Sequence, residues 1–269
     1  MTSLRPRIYI LGIILCIGTA PLNAAPPKSG TTMPKSAAPK IVTKGIVDPD
    51  SVAALKRMSA YLTSLNTAAI TSEGSLDVVT DDGQRIQLDG VTKYKLRKPN
   101  GFVIDYVSDA KSRQFIYDGK QFTVYAPKLD FYATVPAPPT NREVLDTIYK
   151  RFGIALPLED LFRWNDPNGV RVDSLKSGYL AGTATLDGVE TDHYAFREAE
   201  VDWEIWIDKG DRPLPRKVVI VDRTDPANPT FIARLNWTVN PAFTDSDFAF
   251  TPDKDAKRIE LAVYEESGE

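Results

Sequence analysis

A mainly β domain, folded as a curved antiparallel sheet of about ten strands partly covered by two helices, is what this sequence predicts. Apolar and polar residues alternate through most of the chain between Ile70 and Val239. Short turn signals such as Asp81-Asp82-Gly83, Asp118-Gly119 and Asp187-Gly188 separate the alternating runs. Only two stretches have helical spacing, and no strand–helix alternation of the parallel α/β kind is present.

The first residues stand apart from this domain. Arg5 and Arg7 precede an apolar run from Ile8 to Ile17, followed by small residues up to Ala24 and Ala25, which is the layout of a cleavable secretory signal over residues 1–24. The run is too short to span a bilayer stably. Cleavage there would remove Cys16, the one cysteine, and leave no disulfide to form. Leu15 before that cysteine argues against lipidation. Losing both arginines lowers Lys plus Arg from 33 to 31 against 36 acids, so the mature chain would carry a net charge of −5. That balance argues against nucleic acid as a partner. Residues 25–47 are rich in Pro, Ser, Thr and Ala, carry Lys28, Lys35, Lys40 and Lys44, and are expected to be a disordered linker. A single domain over 48–269 follows.

Asp48-Pro49 supplies an N-cap and a proline suited to the first helical position. Leu55, Met58, Leu62 and Leu65 then recur at spacings of three and four, giving an amphipathic helix. From Ile70 the period becomes two. Ile70, Leu76 and Val78 share one face before the Asp81-Asp82-Gly83 turn, and Ile86, Leu88, Tyr94 and Leu96 share the apolar face of the returning strand. Strands around Phe102–Tyr106, Phe115–Tyr117, Phe122–Tyr125 and 130–135 continue the meander.

Thr140-Asn141-Arg142-Glu143 matches a capping box. The helix it opens has Val144, Leu145, Ile148, Tyr149 and Phe152 on one face, with Leu156, Leu158, Leu161, Phe162 and Trp164 continuing in a short helical or irregular segment. After a turn at Asp166-Pro167-Asn168-Gly169, strands resume over 178–186, 189–196, around Trp203 and Val218, and 231–239. The stretch from Val201 to Asp222 is the strongest β signal. Trp203, Ile205 and Ile207 alternate with Asp202, Glu204, Trp206 and Asp208, and Pro213 and Pro215 belong to a connection several residues long.

Catalytic chemistry has little to stand on. His193 is the one histidine, no GxSxG elbow accompanies it, and strand alternation turns it away from Tyr194 and Phe196, so a structural or surface role is expected. Asp202 and Glu204 lie about 7 Å apart on one strand face, the spacing of paired glycosidase carboxylates, yet same-face acids on a strand are more often its wet side. Asp245-Ser246-Asp247 and Asp253-Lys254-Asp255 are read as turn acids before calcium ligands. No catalytic residue, metal site or cofactor is expected.

Asp192-His193-Tyr194-Ala195-Phe196, Val201-Asp202-Trp203 with Trp206-Ile207-Asp208, and Pro213-Leu214-Pro215-Arg216-Lys217 resemble domain-of-unknown-function family 2092, predicted periplasmic proteins, from about Asp48 to the C-terminus. That family in turn resembles the LolA, LolB and LppX group of periplasmic lipoprotein and lipid carriers. The resemblance implies an incomplete antiparallel β-barrel with helices plugging its open side, and Phe248-Ala249-Phe250-Thr251-Pro252 is similar to the group's C-terminal strand-to-loop segment. No catalytic residue transfers with it.

The expected function is therefore that of a non-catalytic, monomeric periplasmic binder or carrier of a lipid, a lipoprotein acyl chain or another apolar ligand. The cavity candidates are Trp203, Ile205, Ile207, Phe231, Leu235 and Trp237 on the sheet and Leu145, Ile148 and Tyr149 on the second helix, which is expected to lid the cavity at some position. The alternative is an envelope-stress sensor or interaction module acting on a membrane partner, since the LolA-type fold also resembles the lipid-sensing domain of RseB-like regulators. A hydrolase ranks third for want of a recognisable site.

Overall fold

Asp48 opens the first helix as its spacing requires. Its Oδ1 accepts the Asp50 N–H at 3.0 Å, Pro49 occupies the first turn, and α1 runs over Pro49–Ser64. Ala54, Leu55, Met58 and Leu62 form the buried stripe. At the other end the Lys98 ammonium donates to the carbonyl oxygens of Leu62, at 3.2 Å, and Thr63, placing a cation where the last helical carbonyls lack partners. The computed structural model describes residues 45–159 and 172–263. The stretches expected to be a signal and most of a linker, together with Leu161, Phe162, Trp164 and the turn expected at 166–169, lie outside the described residues.

Strands follow as two antiparallel meanders. The first comprises β1 (Thr67–Val79), β2 (Arg85–Arg97), β3 (Phe102–Ser108), β4 (Ser112–Tyr117), β5 (Gln121–Ala126) and β6 (Phe131–Pro136). After α2 (Asn141–Phe152) comes the second, with β7 (Ser177–Leu186), β8 (Val189–Arg197), β9 (Val201–Asp208), β10 (Pro215–Asp222) and β11 (Thr230–Val239). A two-residue β12 (Lys257–Arg258) pairs parallel to β6. The spatial order is β12-β6-β5-β4-β3-β2-β1-β11-β10-β9-β8-β7, twelve strands in one open, curved sheet. Each meander pairs with itself in chain order, and a single long-range seam, β1 against β11, joins them. Twelve strands among the described residues fit the expected curved sheet of about ten, and the two-residue β12 carries no alternation that would reveal it.

Alternation divides the sheet into two faces. On the inner face Tyr94, Phe102, Ile104, Tyr117 and Phe122 of the first meander join Tyr194, Phe196, Trp203, Ile205, Ile207, Val218 and Leu235 of the second in one core, together with the buried stripes of α1 and α2. Thr140 caps α2 by accepting the Glu143 N–H at 3.3 Å, and Gly153 ends it in the left-handed region at φ 64°. Burial of Val144, Leu145 and Ile148 on that helix is nearly complete. Tyr94 sits deep in this core, where its hydroxyl donates to the Pro157 carbonyl at 3.2 Å and burial pushes its ionisation upward.

The outer face is also partly covered. The chain after β11 crosses it, with Asp247 accepting from Lys95 at 2.8 Å and Phe248 under the Arg97 guanidinium at 4.4 Å. Phe250 then tilts against both Tyr125 and Tyr132, at 5.5 and 5.3 Å between ring centroids. This strap covers Ile116 and Tyr125, apolar residues at positions where alternation would put polar ones.

Candidate functional site

Eight of the nine cavity candidates gather in one core cluster between the inner face and α2, at different depths, and Tyr149 on α2 stands outside that cluster. Trp203, Ile205, Ile207, Leu235, Leu145 and Ile148 are buried within the core, while Phe231, Trp237 and Tyr149 are half-buried. Trp237 is fixed by its indole N–H, which donates to the Pro215 carbonyl at 2.7 Å. Stacking of Phe196 on Trp203, 4.2 Å between centroids, closes the core beneath them.

Beyond that core the inner face stays apolar but is not fully covered. In register across four adjacent strands lie Ile220 of β10, Phe231 of β11, Leu76 of β1 and Leu88 of β2, with Val78 opposite Ile86 one step further out. All six are partly exposed, Ile86 at 39%. Between this strip and the buried core runs a rung of small residues, Ala233 opposite Gly74, Gly74 opposite Gly90, and Gly90 opposite Ser108. Two glycines sit side by side in that rung, so its side chains are few and small and the surface forms a shallow trough, partly filled by the Tyr106 ring, whose Cε2 would lie 3.3 Å from a Cβ on Gly90. At Gly74 the β11 backbone leaves no room for a side chain: a Cβ built there would lie 2.2 Å from the Ile232 carbonyl oxygen. Sequence reasoning had a signal for this trough, since a glycine inside a strand pattern marks a close backbone approach. Leu76, Val78, Ile86 and Leu88 were legible as an apolar face, though not as its uncovered end.

The polar residues weighed for chemistry have structural partners. His193 stacks on Trp206 at 3.8 Å and its Nε2 lies 2.7 Å from Glu204 Oε2, on the face opposite Tyr194. Lys217 covers the other part of the same indole, its ammonium 4.3 Å from the ring centroid. Asp202 receives both arms of the Arg197 guanidinium, at 2.7 and 2.6 Å. Asp245 pairs with Arg97 and Asp247 with Lys95. Asp253 accepts from the Tyr125 hydroxyl, an interaction that pushes Tyr125 up to about 12. Among the described residues no three of His, Cys, Asp and Glu gather as a metal site, and no helix is long and apolar enough to cross a membrane.

Solved structures with a similar arrangement include LprF from Mycobacterium bovis, with 12% identity over 78% of this chain and 99% of that one and a TM-score of 0.41. LppX from Mycobacterium tuberculosis aligns at 11% identity, 73% and 98% coverage and a TM-score of 0.36. A LolA superfamily protein from Nitrosomonas europaea aligns at 8% identity, 74% and 97% coverage and a TM-score of 0.34. No curated protein matches the chain. The family described as predicted periplasmic protein, domain-of-unknown-function family 2092, matches residues 51–262, and the chain belongs to that family.

Proposed function

We propose that this protein is a non-catalytic periplasmic binder that takes an acyl chain or similar apolar ligand onto the inner face of its sheet. The observation that carries the reading is the partly exposed strip Ile220, Phe231, Leu76 and Leu88, which adjoins the core through Ile220 and Phe231 and is bordered by the glycine rung. A chain laid along that strip meets the apolar side chains, with the small residues of the rung and the Tyr106 ring beside it. Burying about ten methylenes at ~0.8 kcal/mol each supplies about 8 kcal/mol before association costs, a scale that allows capture and release. Of the nine sequence candidates, Phe231 is the one that belongs to this strip; Trp237 is partly buried against the core, and Trp203, Ile205, Ile207, Leu235, Leu145 and Ile148 are core residues that support the ligand face from behind in this reading. Export removes residues 1–24 in this reading, so the mature protein starts near Ala25 without Cys16, and its intact mass from a periplasmic extract checks that.

The binding test is titration with palmitate, followed by intrinsic tryptophan fluorescence and by native mass spectrometry. Saturable binding is expected, with Leu76→Asp and Leu88→Asp each weakening it by tenfold or more while the far-ultraviolet dichroism stays unchanged. No bound chain, or binding indifferent to both substitutions, would leave the inner face as simple packing. A membrane protein that co-purifies with lipid-free material would favour the interaction-module alternative.

A further inference from the structure

A second concavity lies on the outer face, at the β4–β6 end of the sheet, away from the strands that carry the trough. Its volume is about 250 Å3, and its floor is the outward-facing side of β4, β5 and β6. Thr123 and Thr134 are cross-strand partners there, their hydroxyls 2.9 Å apart. The strap forms the wall through Phe248, Phe250 and Pro252, and Phe250 is held in place by its contacts with Tyr125 and Tyr132.

The two ends of this cavity differ in charge. At one, Arg258 of β12 donates from Nη2 to the Thr134 carbonyl at 3.3 Å, and no carboxylate pairs with it among the described residues. At the other, Gln121 and Asp118 stand at the β4–β5 turn, where one Asp118 oxygen accepts the N–H groups of Lys120 and Gln121 at 2.8 and 2.7 Å. Arg258 is in register with Tyr132 and Gln121 with Pro136, so the backbone positions of the two ends are four residues apart along β6, about 13 Å. The Arg258 side chain, leaning towards Thr134, shortens that span to the reach of a small molecule.

We propose that this outer cavity binds a small hydroxylated carboxylate of the size and class of a hexuronic acid. The planar fork of Arg258 matches a carboxylate, and a bidentate guanidinium pair is the geometry that gives such recognition both strength and direction. The Thr134 hydroxyl, backed by the buried Thr123 hydroxyl, and the Gln121 amide both donate and accept, as ring hydroxyls require, and Asp118 accepts from hydroxyls at the far end. A phosphate ester would bring a second negative charge towards Asp118, which disfavours it. The volume lies just below the about 300 Å3 at which drug-sized sites begin, so it suits one sugar ring rather than a chain of them.

The test uses the mature protein and sodium glucuronate as probe, followed by proton–nitrogen NMR titration. Saturable shifts are expected at Gln121, Thr123, Thr134 and Phe250, with glucose binding at least tenfold more weakly. Arg258→Gln should weaken glucuronate binding by about tenfold or more, the loss that follows from removing a charge-assisted pair. Asp118→Asn should retain or strengthen it. Palmitate binding should be unchanged in both variants, which separates this site from the trough and reports that each variant is folded. No saturable shift, equal affinity for glucose, indifference to Arg258→Gln, or preference for a zwitterionic amino acid lost in Asp118→Asn would each overturn the assignment.

Discussion

Gly74 shows how little room some positions leave. A methyl there would meet the Ile232 carbonyl oxygen at 2.2 Å and the Ala233 Cα at 3.1 Å, both backbone atoms that a rotamer change cannot move. Gly74→Ala is therefore expected to destabilise by about 2 kcal/mol or more, whereas Gly182→Ala, with nothing within 4 Å of its Cβ, should be neutral or slightly stabilising. Urea denaturation of the two variants checks this, and equal midpoints would remove the close-approach argument. Asp208 makes a second residue-scale case. Alternation puts it on the wet side of its strand, but the register shift between Pro215 and Lys217 brings Arg216 over it in a fork at 2.8 and 2.7 Å, and Asp208 ends up 8% exposed. That contact also holds the Arg216 guanidinium above its ordinary range. Asp208→Ala should cost about 1 to 2 kcal/mol, because it removes the fork from a partly buried Arg216 that water still reaches. Pro213 lies in the connection as expected, but Pro215 is the first residue of β10 and pairs with Ile207, and the bulge behind it, which depends on how two strands slide past each other, was not legible in the sequence.

At the scale of elements, both helices were readable because caps and apolar spacing agree locally. Their depth was not. The sequence gives Ile148 and Tyr149 equal standing on one stripe, yet Ile148 is 1% exposed and Tyr149 is half-buried. Ile148→Ala should then cost about 3 kcal/mol through lost transfer energy and a void, and Tyr149→Ala less than about 1 kcal/mol. A large loss at Tyr149 would mean that α2 packs to its rim and leaves no room at the margin of the core. The outer strap was harder to foresee, since Phe243, Phe248 and Phe250 follow no strand or helix period and the surface they cover sits on the face expected to be wet. Its attachment is pH-dependent in a defined direction. Lys95, then the Thr244 N–H and hydroxyl, hold the Asp247 carboxyl down at about 2. The folded value lies below that of the unfolded chain, so the contribution is complete above about pH 4 and disappears as pH falls through about 2. Hydrogen exchange of the strap amides between pH 4 and 2 should rise relative to the β1–β2 hairpin, and Asp247→Asn should remove that pH dependence. Unchanged dependence in the variant would assign it to another group.

For the molecule as a whole, the two meanders are legible and the way they join is not. Alternation and turn residues act between neighbours in sequence, so they specify the hairpins β1–β2 and β9–β10. The seam pairs Ile70 with Trp237 and Ala68 with Val239, which no local signal encodes. It is selected by what it buries, since Ile70 and Leu235 become core only once both meanders are present. That division of labour has a kinetic consequence. Closing the seam spans nearly the whole domain, and its loop entropy must be met before its contacts give any return, so local hairpins should form earlier. Leu235→Ala in the seam should accelerate unfolding and leave refolding almost unchanged, whereas Ile104→Ala, inside the first meander, should slow refolding. Stopped-flow chevrons of the two variants, each expected to lose about 3 kcal/mol, separate the cases. If Leu235→Ala slows refolding by its full equilibrium cost, the seam belongs to the folding nucleus, and the two halves of the sheet must find each other before either meander is complete.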